Sequence, residues 1–167
     1  DFRVIDESGE QFSQEFRLDG DIGADGSWVA GVSYFTIESD VDLRFNSTGF
    51  LNGLFDTHSE TESYSGFGAA TVPVSDRTRV IAGLRYTYED KSYDVAYTDF
   101  AGGPNTRTTQ TRDYDFLTGR LGVSYDISDR TSGYATISRG VKSGGFELGD
   151  FDTRFPGTPA DQFQSAE

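Results

Sequence analysis

Hydrophobic and polar residues alternate along several stretches of this chain. The clearest stretch runs from Val80 to Glu89, and the stretch from Leu117 to Ile127 repeats its pattern. Successive side chains of a β-strand point to opposite faces of a sheet, so a period of two predicts a strand with one apolar and one polar face. The apolar parity of the first stretch is Val80, Ala82, Leu84, Tyr86 and Tyr88.

Six segments are predicted as strands on this basis. Residues 14–18, 28–34, 80–89 and 117–127 alternate clearly, whereas 64–74 and 132–141 carry small residues on both sides. The outward parity of the last two stays open, although Ala135 and Ile137 are assigned to the apolar side. No segment shows a 3.6-residue period over two turns, so no substantial helix is predicted. The predicted fold class is all-β, with antiparallel strands.

The connections between these strands fall into two kinds. The sequence of residues 74–78, Val-Ser-Asp-Arg-Thr, recurs almost unchanged at residues 127–131, and Ser-Asp favours a tight turn because both side chains bond nearby backbone groups. Residues 19–26 form a third, looser turn. The polar segments 38–62 and 89–113, and the chain from Lys142 onward, are predicted as long loops. Short turns at one rim and long loops at the other are typical of up-and-down outer-membrane barrels.

The two predicted faces indicate a membrane environment. The apolar parity carries Tyr and Trp near strand ends, as the aromatic girdles at membrane interfaces do. A sheet in lipid must close, and six strands are too few to close around a wide lumen, so an incomplete transmembrane β-barrel of about six long strands is expected. The candidate lipid-facing residues are Trp28, Val32, Leu84, Tyr86, Leu121, Val123 and Tyr125. The candidate lumen-facing residues are Arg85, Glu89, Arg120, Arg139 and Lys142.

Composition and charge exclude several classes of function. The chain has no Cys, so neither a disulfide framework nor a thiolate metal site is available. Its net charge of −14 makes nucleic acid a poor partner, and the acidic residues are expected in solvated loops. Aromatic residues make up 14% of the chain, which argues against disorder. No apolar run approaches the roughly 18 residues that a transmembrane helix needs.

Candidate chemistry is sparse, and neither a cofactor nor an enzymatic activity is predicted. No nucleophile and base stand at a meaningful spacing. The single histidine, His58, lies in a polar segment and is expected to be solvated. The pairs Asp40 with Asp42 and Asp150 with Asp152 lack a full calcium-ligand loop, so no metal site is predicted. The Ser-Gly-Gly of residues 143–145 lacks the ending of a phosphate-binding loop and is interpreted as a turn.

Four segments resemble the TonB-dependent outer-membrane receptors, in that family's order. Residues 134–146, Tyr-Ala-Thr-Ile-Ser-Arg-Gly-Val-Lys-Ser-Gly-Gly-Phe, resemble the family's Tyr-Ala-x-x-Ser-x-Gly-x-Lys-x-Gly-Gly-Phe segment. Residues 82–90 are similar to its Ala-Gly-x-Arg-Tyr-x-x-Glu strand. Residues 28–35 and 14–18 are similar to its Trp-x-x-Gly-x-x-Tyr-Phe and Gln-Glu-x-Arg-Leu strands.

The resemblance implies a barrel of about 22 strands with an N-terminal plug domain, in the outer membrane of a Gram-negative bacterium. Such receptors import a scarce nutrient, most often an iron–siderophore complex, and are energised through TonB. The implied partners are outer-membrane lipid, the plug domain, the TonB complex and an iron–siderophore or similar ligand. Residues 1–167 show no plug domain, TonB box or closing strands, so the chain is expected to be a fragment of the barrel domain.

Two other interpretations remain open at the level of sequence. A small structural or adhesive outer-membrane barrel would need about eight strands that close on themselves and a C-terminal aromatic residue. A soluble acidic β-sandwich that binds carbohydrate or calcium would pack its apolar face inward beneath a second sheet.

Overall fold

Six antiparallel strands form one sheet in a computed structural model that describes residues 2–47 and 51–145. The strands follow one another in chain order, so each pairs with the next along the sequence. Their bounds are β1 Phe2–Ile22, β2 Gly26–Ser47, β3 Leu51–Ser75, β4 Thr78–Asp99, β5 Thr106–Ser128 and β6 Thr131–Arg139. This meander confirms the predicted all-β fold. In the described part of the chain, no helix is long and apolar enough to cross a membrane.

Short turns join the strands at one end of the sheet. β1 and β2 are separated by residues 23–25, and Gly23 adopts φ 65°, a left-handed conformation that favours glycine. The repeated Ser-Asp-Arg-Thr sequences form the β3–β4 and β5–β6 turns, as predicted. The Ser75 and Ser128 hydroxyls accept hydrogen bonds from the Arg77 and Arg130 amides, each at 3.4 Å. The same side chain thus stabilises the same turn twice.

The strands are much longer than the sequence pattern predicts. Most of the segments 38–62 and 89–113, expected as long loops, continue β2, β3, β4 and β5. The β4–β5 connection is only residues 100–105, and residues 48–50 lie outside the described part. The prediction was wrong because the alternation changes parity in the outer segments. On β2 the apolar residues Val41, Leu43 and Phe45 occupy odd positions, whereas those from Trp28 to Tyr34 occupy even ones. The β2–β3 ladder nevertheless continues without interruption up to the pair of Ser47 with Leu51.

The sheet has no dry core in the part that the structure describes. None of the described hydrophobic side chains is buried, and the buried residues other than glycine are polar: Thr57, Ser65 and Thr87 are 4%, 7% and 7% exposed. This reverses the arrangement of a soluble domain, in which apolar side chains fill the interior. Among the described residues no second layer covers either face of the sheet. The inward-packed β-sandwich is therefore not the fold of this segment.

Candidate functional site: the two faces of the sheet

The strand register gathers the predicted apolar residues on one face, here called the apolar face. Cross-strand partners lie on the same side of a sheet. Val32 on β2 shares a row with Tyr86 on β4 and Leu117 on β5 through successive pairs, and Ala82 shares a row with Leu121. The seven candidate lipid-facing residues all lie on this face, with exposures from 38% for Trp28 to 61% for Leu84. They are Trp28, Val32, Leu84, Tyr86, Leu121, Val123 and Tyr125.

The register also assigns the two strands whose parity was open. Tyr64 and Val72 of β3 pair with Tyr88 and Val80, which places them on the apolar face. Ala135 and Ile137 of β6 pair with Val123 and Leu121, as predicted.

A row of tyrosines borders the apolar face on the side away from the short turns. Tyr34, Tyr64 and Tyr88 are direct cross-strand partners, and the Tyr34 and Tyr64 rings lie 5.0 Å apart. Phe12 extends the row, with its ring 6.2 Å from that of Tyr34. The Tyr34 hydroxyl donates a 2.8 Å hydrogen bond to Glu62, which lies one step beyond the row. Each ring thus has an apolar neighbour on one side and polar groups on the other, the situation that favours Tyr at a membrane interface.

The apolar band differs in length between strands: it spans six residue steps on β2, from Trp28 to Tyr34, and eight on β4, from Val80 to Tyr88. It runs from Phe12 to Ile22 on β1 and from Leu117 to Ile127 on β5, ten residue steps in each case, interrupted on β1 by Gln14. At about 3.3 Å per step and a tilt near 35°, ten steps rise roughly 27 Å. The apolar band of outer-membrane barrels is about 25 Å tall.

Both edges of this band run obliquely to the hydrogen-bonded rows. At the upper edge, Phe12 of β1 lies one row above the tyrosines and Leu117 of β5 lies one row below them. The lower edge, from Ile22 of β1 to Ile127 of β5, is displaced in the same direction by the same two rows. Two rows are about 13 Å along the strand, over four interstrand gaps of about 4.8 Å. The edges are therefore inclined by roughly 35°, which is the strand tilt found in transmembrane barrels.

Beyond the tyrosines, the same face of the sheet becomes acidic. His58 Nδ1 lies 2.7 Å from Asp40 Oδ1, and this hydrogen bond, with the surrounding carboxylates, raises the pKa of His58 above its ordinary value. Asp94 accepts hydrogen bonds from Thr109 and from Arg107, the latter at 3.0 Å, and both lower the pKa of Asp94. No group of three potential ligands that could hold a metal ion occurs among residues 2–47 and 51–145.

The opposite face, here called the polar face, carries hydrogen-bonded polar groups at the height of the apolar band. The hydroxyls of Ser33 and Ser65 lie 2.6 Å apart, and Arg85 donates a 2.9 Å hydrogen bond to Ser33. The Arg85 guanidinium also lies 5.5 Å from the ring centre of Phe67. Gly31 makes room for that ring, because a Cβ there would lie 2.6 Å from its tip.

Three of the five candidate lumen-facing residues share the polar face. Arg85 lies there with Glu89, which pairs with Tyr114, and Arg120 joins them because it pairs with Gly83. Lys142 lies beyond the end of β6, so the register assigns it to neither face; it is exposed.

Arg139 does not belong with them. It pairs with Gly119 and lies in the row of Leu84, on the apolar face. The grouping of Arg139 with Arg85 and Arg120 was wrong because Arg139 follows Ile137 by two residues. Alternation along β6 therefore places it on the same face as Ile137, whatever its charge.

One polar-face residue that the sequence analysis did not select is Lys91. Its ammonium lies 3.2 Å from Glu89 Oε1, and the two side chains are only 15% and 14% exposed. Lys91 has the parity of Arg85 and Glu89, so continuing β4 by two residues identifies it. It was missed because residues 89–113 were predicted as a loop.

Three aromatic rings cluster on the polar face near the end remote from the short turns. Phe55 lies between Phe45, at 5.6 Å, and Tyr97, at 4.8 Å. The rings of Phe45 and Tyr97 are nearly parallel, at 5°. These contacts hold adjacent strands together where neither face carries an apolar band.

The sheet is similar to part of the barrel of two solved receptors. The ferric yersiniabactin uptake receptor FyuA from Yersinia pestis superposes with a TM-score of 0.77 at 17% identity, over 87% of this chain and 23% of that receptor. The ferric-catecholate import receptor Fiu from E. coli K12, in its closed form, gives a TM-score of 0.62 at 11% identity, over 80% of this chain and 24% of that receptor. No curated protein sequence matches the chain.

The fold and the reversed distribution of polar and apolar residues define a segment of an outer-membrane receptor barrel. The family model described as "TonB dependent receptor-like, beta-barrel" matches residues 2–165, and the chain belongs to this family. Its members are transport receptors of the Gram-negative outer membrane and not enzymes. The chain spans about a quarter of the two receptors above, 23% and 24% of their lengths.

Proposed function

We propose that this sheet is a wall section of a receptor that imports an iron–siderophore complex, with lipid on its apolar face and a plugged lumen on its polar face. The observation that carries the assignment of the faces is the oblique apolar band, which is ten residue steps long on β1 and on β5. Its height and inclination match a bilayer crossed by tilted strands. The buried polar residues Ser65 and Thr87 lie on the other face, where a wet lumen or a plug supplies polar neighbours.

The direction of the sheet in the membrane follows from its connections. Barrels of this kind have short turns on the periplasmic side and longer extensions outside the cell. The turns at residues 23–25, 76–77 and 129–130 are therefore assigned to the periplasmic rim. The polar outer halves of β2 to β5 then rise beyond the outer leaflet, with the tyrosine row at the outer interface.

The lipid contact can be tested with Trp28, the only tryptophan of the chain. The full-length receptor is reconstituted in vesicles whose acyl chains carry bromine, which quenches indole fluorescence on contact. The signal of residue 28 is the difference between the parent and the Trp28→Phe variant, and it is expected to be strongly quenched. A Trp introduced at Ser33, on the polar face, is the control and should be quenched little. Equal quenching at the two positions would contradict the assignment.

The nutrient is proposed from two lines of support. The resemblance of the strand segments points to this class of importers. The receptors FyuA and Fiu are named for ferric complexes, although identities of 17% and 11% support only a shared fold. Iron–siderophore uptake is therefore the leading assignment, and cobalamin is the alternative that the experiment should include.

Uptake by whole cells tests this assignment. Cells that lack their own receptors express the full-length protein and are given siderophores loaded with radioactive iron, from the catecholate, hydroxamate and phenolate classes, or radioactive cobalamin. Accumulation of iron from one class, lost in cells without TonB, is expected. The proposed substrate would be overturned if the cells accumulated only cobalamin, or if a correctly folded receptor led to no accumulation of any of these ligands. Neither result would affect the assignment of the faces.

A further inference from the structure

The chain leaves the sheet after β6 and crosses the polar face. β6 ends at Arg139 after pairing with the C-terminal part of β5, from Ser128 to Gly119. Lys91 of β4 donates hydrogen bonds to Ser143 Oγ at 3.0 Å and to the Gly144 carbonyl at 2.8 Å. Because β5 lies between β4 and β6, these contacts span β5.

Tyr114 of β5 is the surface on which this segment rests. A Cβ at Gly144 would lie 2.8 Å from the Tyr114 hydroxyl, so the backbone of the segment approaches the ring closely. The Lys91 ammonium lies 5.9 Å from the centre of the same ring. Gly144 is itself buried, although it belongs to no strand. The segment is thus held against the sheet from one side by Tyr114 and at its end by Lys91.

Lys91 is fully used by these contacts. An ammonium has three N–H donors, and it has three acceptors here: Ser143 Oγ, the Gly144 carbonyl and Glu89 Oε1. The neighbouring lysine on the segment itself, Lys142, is exposed and has no hydrogen bond or ion pair with any described residue. The lysine nearest to the segment in sequence is therefore not its anchor. Lys91 is the anchor because of its position on the polar face of β4.

We propose that residues 140–145 form an inward-folded strap, and that Lys91 is the positioning residue that anchors it to the polar face. The strap narrows the space on this face and ends the pairing of β6 with β5. That the space is the transport lumen rests on the proposed function. The contact between the strap and the sheet does not depend on the proposed function. An experiment on this contact can therefore fail while an experiment on transport succeeds.

A spin label on the strap tests the anchor in the full-length receptor. Gly145 is replaced by Cys and labelled with a nitroxide. Its φ is not positive, and nothing lies within 4 Å of where a Cβ would be, so the position accepts a side chain. Other accessible cysteines, if the receptor has any, are first replaced by serine. The mobile fraction of the spectrum is compared between this parent, Lys91→Gln and the matched control Lys142→Gln. Lys91→Gln is expected to increase the mobile fraction at least two-fold, and Lys142→Gln to leave it unchanged.

A second variant protects the test against a failure to fold. Lys91→Gln leaves Glu89 without its ion pair, so the double variant Glu89→Gln/Lys91→Gln, which buries no net charge, is measured as well. Assembly is checked by the difference in gel migration between unheated and heated samples. A rise in the mobile fraction in the assembled double variant supports the anchor. A spectrum identical to that of the parent, or an equal rise with Lys142→Gln, would overturn it.

Discussion

Leu121 lies near the middle of the apolar band, where a charge is least tolerated if that face meets lipid. It is 55% exposed and pairs with Ala82 on one side and Ile137 on the other. We expect Leu121→Arg to destabilise the full-length receptor in a bilayer by about 2–4 kcal/mol, the cost of an arginine on the lipid face at the midplane. At about 1.4 kcal/mol per factor of ten, this is roughly a 30- to 700-fold change in the unfolding equilibrium constant.

Two matched variants separate lipid contact from a simple steric effect. Thr136→Arg places the same side chain on the neighbouring strand, one step away and on the polar face, where Thr136 pairs with Gly122. It is expected to change stability by less than about 0.5 kcal/mol, as exposed substitutions do. Leu117→Arg lies at the outer edge of the band and is expected to cost about 0–1 kcal/mol, because the penalty falls towards the interface.

The free energies of unfolding come from urea titrations of the receptor refolded into phospholipid vesicles, followed by tryptophan fluorescence. The expected order of destabilisation is Leu121→Arg, then Leu117→Arg, then Thr136→Arg. Equal losses for Leu121→Arg and Thr136→Arg would refute the assignment of the faces. Equal losses for Leu121→Arg and Leu117→Arg would refute the position of the outer interface.

Three further changes test the turn and the outer extension. Gly23→Ala should cost about 1–2 kcal/mol in the same titration, because φ 65° is unfavourable for a residue with a Cβ, and Gly23→Asn should cost less. Asp40→Asn should lower the pKa of His58, observed as a shifted titration of its NMR signal. In the parent this pKa is raised, so the pair of His58 and Asp40 stabilises the fold below about pH 6.5 and loses this contribution as pH rises through the pKa of folded His58. The pKa of Asp94 is lowered, first by the hydrogen bond from Thr109. Its carboxylate therefore stabilises the fold above the ordinary pKa of 3.8, and this contribution is lost as pH falls through the lower pKa of the folded state. The thermal midpoint of Asp94→Asn should fall less steeply on acidification than that of the parent. A pKa of His58 that Asp40→Asn leaves unchanged, or parallel acid profiles for Asp94→Asn and the parent, would contradict these two expectations.

The sequence predicted the fold well where the two faces meet different surroundings. Within the apolar band, residues such as Leu84 and Arg85 are sorted by environment, so a period of two reveals both the strand and its faces. Beyond the tyrosine row the pattern changes parity: on β2, Val41 and Leu43 lie on the polar face and Asp42 on the other. The parity of the inner halves does not extend across this change, which is why four strand halves were predicted as loops.

The errors on the polar face have a different origin. Arg139 has the parity of Ala135 and Ile137, so the alternation of β6 already places it on the apolar face, and its charge was the misleading signal. The contact between Lys91 and Ser143 joins residues 52 positions apart across a third strand. No spacing rule connects such residues; only the order and register of the strands bring them together.

The shape of the apolar band discriminates lipid from a protein partner as its cover. A partner subunit or a second layer would bury an apolar patch whose outline follows that partner's own surface. On β1 and β5 the band instead has upper and lower edges displaced by the same two rows, and a length of ten residue steps. Two parallel planes roughly 27 Å apart, crossed by strands at about 35°, produce this outline on these two strands. Because strand tilt and band height come from the strand register and the side-chain types of β1 and β5, they support a bilayer independently of the family match.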